Sequence, residues 1–205
     1  MKYRIVCICA ALAVLFGLFL TGCKKWSETA TGPIKIVANK GGQTLGYATT
    51  SGIKLVFNKG FAFKDLNRNG KLDPYEDWRL SADQRAKDLA SRMSIHQIAG
   101  LMLYSAHQAI PAAGGKFAST YRGKSFEESG AKASDLTDAQ IKFLTDDSLR
   151  HILVTSVESP EIAARWNNNV QALCESLGLG IPANNSSDPR HRTIADAEHN
   201  AGSGG

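Results

Sequence analysis

An α/β fold is predicted from three features of the sequence. Ile152-Leu153-Val154-Thr155 is a short apolar run of buried-strand type. Ala163, Trp166, Val170, Leu173 and Leu177 then recur at helical spacing behind Ser159-Pro160, which places Pro at a first helical position. Gly178 and Gly180 stop that helix, and Ile181 to Ser187 reads as the next strand. A strand, a helix and a strand joined by short connections make a βαβ unit with parallel strands. Such units close into a (β/α)8 barrel in about 250 residues, and this chain has 205. The expectation is a partial (β/α)8 TIM barrel, its first βα units only, behind a small β-rich N-terminal segment. A third barrel strand is expected at Ala99 to Tyr104.

The first residues read as an address. Lys2 and Arg4 precede an uncharged apolar run from Ile5 to Leu20, and Leu20-Thr21-Gly22-Cys23 follows. A run this short with small residues before a Cys is a secretory signal and a poor membrane span. The pattern resembles bacterial lipoprotein signals, which implies lipidation at Cys23 and a membrane partner through that anchor. Residues 1–22 carry two of the 24 basic residues and no acidic one, so 22 basic residues face 19 acidic ones once they are removed. The formal charge of +5 therefore indicates no nucleic-acid partner, and no basic stripe with interleaved aromatics occurs. Of the 4 cysteines, Cys7 and Cys9 leave with the signal, which leaves Cys174 as a core thiol and no disulfide framework.

Four segments are expected: 1–22 as the signal, 23–33 as a tether, 34–80 as a β-rich lead-in, and 81–205 as the barrel part. Within the lead-in, Ile34 to Val37 and Ile53 to Phe57 are strand-type runs separated by glycines. Ser81-Ala82-Asp83-Gln84, Ser94-Ile95-His96-Gln97 and Thr137-Asp138-Ala139-Gln140 share the capping-box spacing. They predict helices near 82–92, 95–103 and 138–145. Residues 108–135, rich in Gly, Ser, Ala and Lys, read as a long mobile loop.

The most specific motif runs from Asp65 to Glu76 and satisfies D-x-[DN]-x-[DN]-G-x5-E at every defined position. Calcium takes hard oxygen ligands. Asp65, Asn67, Asn69, Asp73 and Glu76 supply side-chain oxygens, Lys71 its carbonyl, and Gly70 the sharp turn. Phe61-Ala62-Phe63 ahead of the loop is strand-like, so the expectation is an isolated EF-hand-like calcium loop with Ca2+ as a structural cofactor. The five histidines carry less. His96 and His151 read as structural, and His107 opens the long loop. The cluster between His191 and His199 fits no zinc signature. No G-x-S-x-G elbow, P-loop or dinucleotide fingerprint is present.

Phe63 through Trp78, then Asp88 to Ser94, then Trp166-Asn167-Asn168 through Pro182 and Ser187-Asp188-Pro189-Arg190-His191 together resemble glycoside hydrolase family 3, in its β-glucosidase-like bacterial lipoproteins. The resemblance runs from about Gly60 onward. It implies an exo-acting, retaining enzyme that removes terminal β-linked sugars in the bacterial cell envelope, lipid-anchored at the outer membrane. It implies that Asp188, with Arg190 and His191, contacts the sugar, since a carboxylate accepts two strong hydrogen bonds from adjacent hydroxyls. The family's Lys-His pair, Asp nucleophile and Glu acid/base have no counterpart among these motifs. The sequence therefore reads as an N-terminal fragment without catalysis of its own. The alternative is a non-catalytic calcium-binding surface lipoprotein or carbohydrate-binding module.

Overall fold

The computed structural model describes residues 24–187. Five antiparallel strands come first: β1 (Trp26–Thr31), β2 (Ile34–Asn39) and β3 (Thr44–Ala48) in one sheet, β4 (Lys54–Asn58) and β5 (Phe61–Asp65) in a second. Thr31 pairs with Ile34 across Gly32-Pro33, and Asn58 pairs with Phe61 across Lys59-Gly60. Lys59 and Gly60 have φ of 51° and 85°, the double positive φ that a tight two-residue hairpin requires. The expected tether at 23–33 thus supplies β1, because Trp26 gains a stacking partner in Phe57 at 4.9 Å. Val37, Tyr47, Ile53 and Ala62 form the core between the sheets. Asn39 joins them. Its Oδ1 accepts the Ala62 N–H at 2.8 Å and its Nδ2 donates to the Ala62 carbonyl at 3.1 Å. Phe63 is fully buried and stacks on Trp78 at 5.1 Å.

Helices α1 (Ala82–Arg92) and α2 (Ile95–Leu101) follow, each opened by the capping box read from the sequence: Ser81 with Gln84, and Ser94 with Gln97. Gly100 sits against the backbone of Asp147 and Ser148, where a Cβ would come within 2.4 Å of the Asp147 carbonyl. The third parallel strand is not at Ala99 to Tyr104. Residues through Leu101 are helical, Tyr104 makes a single bridge to His151, and the strand is β6 (Gln108–Ile110). The capping box at Ser94 commits that run to a helix, and β6 exists through its pairing with β7 (His151–Val157). Residues 108–135 are correspondingly built rather than featureless. They hold β6, a 3-10 turn at Gly115–Phe117 and α3 (Phe126–Ser129). Tyr121 anchors them: it is buried, and its hydroxyl accepts the Ala112 N–H at 2.9 Å.

Helix α4 (Asp138–Thr145), β7, α5 (Pro160–Ser176) and β8 (Asn184–Ser187) complete the described chain. The sheet order is β6-β7-β8, parallel throughout. Trp166, Val170 and Cys174, spaced by four along α5, bury against Ile110, Leu144, Leu149 and Ile152. Burial pushes the Cys174 thiol up, in keeping with an inert core residue. Among the described residues the three sheets stay open and no helix is long and apolar enough to cross a membrane.

The two regions meet at Glu175. Its Oε1 accepts from Lys64 Nζ on β5 at 2.6 Å, and its Oε2 accepts the Ala48 N–H on β3 at 3.1 Å. Arg68 donates to the Glu175 carbonyl at 3.2 Å and to the Ser51 carbonyl at 2.8 Å.

Candidate functional site

Successive side chains of a strand point to opposite faces. On β7 this sends Ile152 and Val154 toward α5 and leaves His151, Leu153 and Thr155 on the other face. Beside Leu153, that second face carries polar and aromatic groups. His107 Nδ1 bonds Thr155 Oγ1 at 2.8 Å, and the imidazole stacks on Phe117 at 5.6 Å with an interplanar angle of 9°. Tyr104 stacks on His151 at 5.7 Å, and its hydroxyl bonds Ser186 Oγ on β8. Asn184 Nδ2 lies 3.3 Å from His151 Nδ1. Parallel strands with one face under a helix and the other lined by hydroxyls, imidazoles and aromatic rings suit recognition of a polyhydroxylated ligand.

Ser187, the last residue of β8, pairs with Val154. Asp188, Arg190 and His191, like Cys23, lie outside the described residues.

The calcium-type loop is described in full. Asp65 ends β5 and is 2% exposed; its two carboxylate oxygens accept the N–H groups of Asn69 at 3.0 Å and Gly70 at 2.9 Å. Glu76 reaches back to the N–H groups of Leu66, Asn67 and Asp73 at 2.7, 3.3 and 3.0 Å. Burial pushes its carboxyl up, against the pull of those bonds. Asn67 and Asn69 both donate to Asp73 Oδ2 at 2.7 Å. Gly70 adopts φ 75°, as the turn requires. No three His, Cys, Asp or Glu side chains among the described residues converge closely enough to hold a metal by themselves.

His96 serves structure: its Nε2 contacts the Asp146 carbonyl at 2.6 Å, tying α2 to α4. His151 and His107 instead border the open face. The sequence signal for that face was slight: in β7, His151 and Thr155 share their alternation with Leu153 and Val157. His107, Phe117 and Ser186 come from three separate segments and give no local signal.

No protein-family model matches the chain. The chain is 40% identical over 141 residues to the periplasmic beta-glucosidase/beta-xylosidase of Dickeya chrysanthemi. It is a homologue of that protein. The match covers 69% of this chain and 19% of the relative, so the chain spans about a fifth of the relative's length. This kinship is consistent with the resemblance to glycoside hydrolase family 3 read from the sequence. The mixed α/β architecture of the described residues is compatible with it.

Proposed function

We propose that this chain forms the leading, sugar-facing part of an exo-acting glycoside hydrolase of β-glucosidase/β-xylosidase type. The reaction is removal of terminal β-linked sugars with retention, at the bacterial cell envelope. The observation that carries the reading is the 40% identity over 141 residues to a beta-glucosidase/beta-xylosidase. The parallel β6-β7-β8 sheet supports it as the opening units of a (β/α)8 barrel. In this reading the face of Tyr104, His107, His151 and Thr155 looks into the barrel, and Asp188, with Arg190 and His191, holds the hydroxyls of the terminal sugar. Retaining hydrolysis needs a nucleophile and an acid/base about 5–5.5 Å apart. Neither belongs to the motifs matched in this chain, so its part is binding and not bond cleavage. Cys23 carries the lipid in this reading, and more than one acyl chain makes the anchor stable. The name of the relative, a periplasmic protein, agrees with an envelope location.

The test is an assay of these 205 residues on aryl β-glucosides and β-xylosides, beside a titration with methyl β-glucoside and methyl β-xyloside. The expected result is no turnover above a blank, and saturable binding that Asp188→Ala weakens at least tenfold. Turnover abolished by Asp188→Ala overturns the division between binding and cleavage. Binding untouched by Asp188→Ala overturns the assigned sugar site.

A further inference from the structure

Asp65 and Glu76 are 2% and 5% exposed, and neither forms an ion pair among the described residues. Buried carboxylates are ordinarily paired with a cation or coordinate a metal. Asp73, the third carboxylate of the loop, pairs with Arg92 at 3.0 Å. Arg92 also serves Asp88 at 2.9 Å, so Asp65 and Glu76 are left without a counter-charge, and a dication matches those two charges. The loop also brings alternate residues to one point, since the Asn67 and Asn69 amides meet at Asp73 Oδ2, each at 2.7 Å.

A further observation is independent of the carboxylates. Tyr75, next to Glu76 in the chain, is 4% exposed, and its hydroxyl has no hydrogen-bond partner among the described residues. The ninth position of a calcium loop often ligates through a water. Asp73 holds that position.

We propose that residues 65–76 bind one calcium ion, held by Asp65, Asn67, Asn69, Asp73, the Lys71 carbonyl and Glu76, and that the ion locks the lead-in to α1 and α5. The donors are carboxylates, amide oxygens and a backbone carbonyl. The site therefore does not depend on three titratable side chains converging, and it falls within the roughly six to eight oxygens that calcium takes. Magnesium demands a smaller, near-octahedral cage and gives up its waters reluctantly, so this loop favours calcium. The lock runs through groups that belong to the loop or touch it. Arg92 and Asp88 of α1 bond Asp73 and the Tyr75 N–H. Arg68, held at φ 60° inside the loop, reaches the Ser51 and Glu175 carbonyls. Fixing the loop fixes Arg68, and with it the junction to the C-terminal end of α5.

Calorimetry and thermal unfolding of the chelator-stripped protein test this, with calcium and then magnesium added. A single calcium site is expected, with a raised unfolding temperature and at least tenfold weaker binding of magnesium. Asp65→Ala and Glu76→Gln should each weaken calcium binding at least tenfold. Asn67→Ala and Asn69→Ala remove ligands from the loop surface and should weaken it several-fold with the circular dichroism unchanged, so a folding defect in the first pair does not cloud the result. No heat and no shift at millimolar calcium overturns the site, as does unchanged affinity in the Asn variants. Arg68→Ala should bind calcium normally yet lose the calcium-dependent hydrogen-exchange protection at the C-terminal end of α5. If that protection persists, the lock is overturned and the site stands. Glycoside binding takes no part in these measurements.

Discussion

The lead-in and the βαβ region are held together in opposite ways. In the lead-in every strand pairs with its neighbour in sequence, and the connections are as short as Gly32-Pro33 and Lys59-Gly60. In the βαβ region β6 and β7 pair across residues 111–150, and β7 and β8 across α5. Antiparallel neighbours need only a tight turn, whereas parallel neighbours need a crossover whose helix must pack on the sheet. The lead-in is thus specified by turns and alternation. The βαβ region is specified by how α5 and α4 bury Trp166, Val170, Leu144 and Ile152.

The comparison breaks most visibly at Trp166. Its Nε1 donates to Gln140 Oε1 at 3.1 Å inside the core, and Gln140 in turn donates to Gln108 at the start of β6. Trp166→Ala removes a large buried ring and leaves Gln140 partly unpaired. A loss of about 3–5 kcal/mol is expected, read by chemical denaturation. The parallel sheet should lose protection in hydrogen exchange while β1 to β3 keep theirs. Equal loss in both regions would mean that they unfold as one unit.

The junction comes next in size. Glu175→Ala strands the Ala48 N–H, bonded to it at 3.1 Å, and leaves Lys64 Nζ, now at 2.6 Å from the carboxylate, with only the Gly46 carbonyl. The carboxylate side chain is 10% exposed and the Lys64 side chain 26%, so solvent softens the effect to about 1–3 kcal/mol. Both regions should feel it. Glu175→Gln keeps a bond to Ala48 and should lose less. A negligible change in Glu175→Ala would shift the weight of the junction to Arg68.

Capping sharpens the comparison between exposed and buried helix starts. Ser81 caps α1 at the surface, and Thr137 caps α4 at 1% exposure. Ser81→Ala should cost about 0.5–1 kcal/mol and Thr137→Ala about 2 kcal/mol, both measured by denaturation. A Thr137 effect no larger than that at Ser81 would remove burial as the cause.

The smallest expected effect is a dependence on pH. Asp138 accepts Thr120 Oγ1 at 2.7 Å and the Gly123 and Arg122 N–H groups at 2.8 Å each. The Thr120 hydroxyl first, and then those N–H groups, hold its carboxyl below the usual range. A folded pKa below the unfolded one stabilises the fold above the unfolded value. That contribution is lost as pH falls through the lowered one. Acid should therefore release the 120–123 turn from α4, and Asp138→Asn should remove the pH dependence. Exchange rates at Arg122 and Gly123 read it directly, and an unchanged acid limb in Asp138→Asn would reject it.

Local chemistry was legible where it is self-contained. The capping boxes at Ser81, Ser94 and Thr137 start helices where the sequence placed them. Phe61 to Asp65 is a strand, and the spacing of Trp166, Val170 and Cys174 gave the buried stripe of α5. The third parallel strand was misplaced because three residues at Gln108–Ile110 carry no periodicity of their own; β7 makes them a strand. The stretch 108–135 looked loose because its order comes from one distant anchor, Tyr121 against Ala112, and from Asp138 reaching back to residues 120–123.

The sequence by itself determined the helix starts, the apolar faces and the twelve-residue oxygen-rich loop, because each is written in residues a few places apart. Tertiary structure alone decided that His107, Phe117, Tyr104, Thr155 and Ser186 share one open face, and that Arg68 and Lys64 close on Glu175. Those groups come from separate segments. Their meeting depends on the parallel register of β6, β7 and β8 and on where α5 lies, which are long-range packing choices that no local pattern encodes.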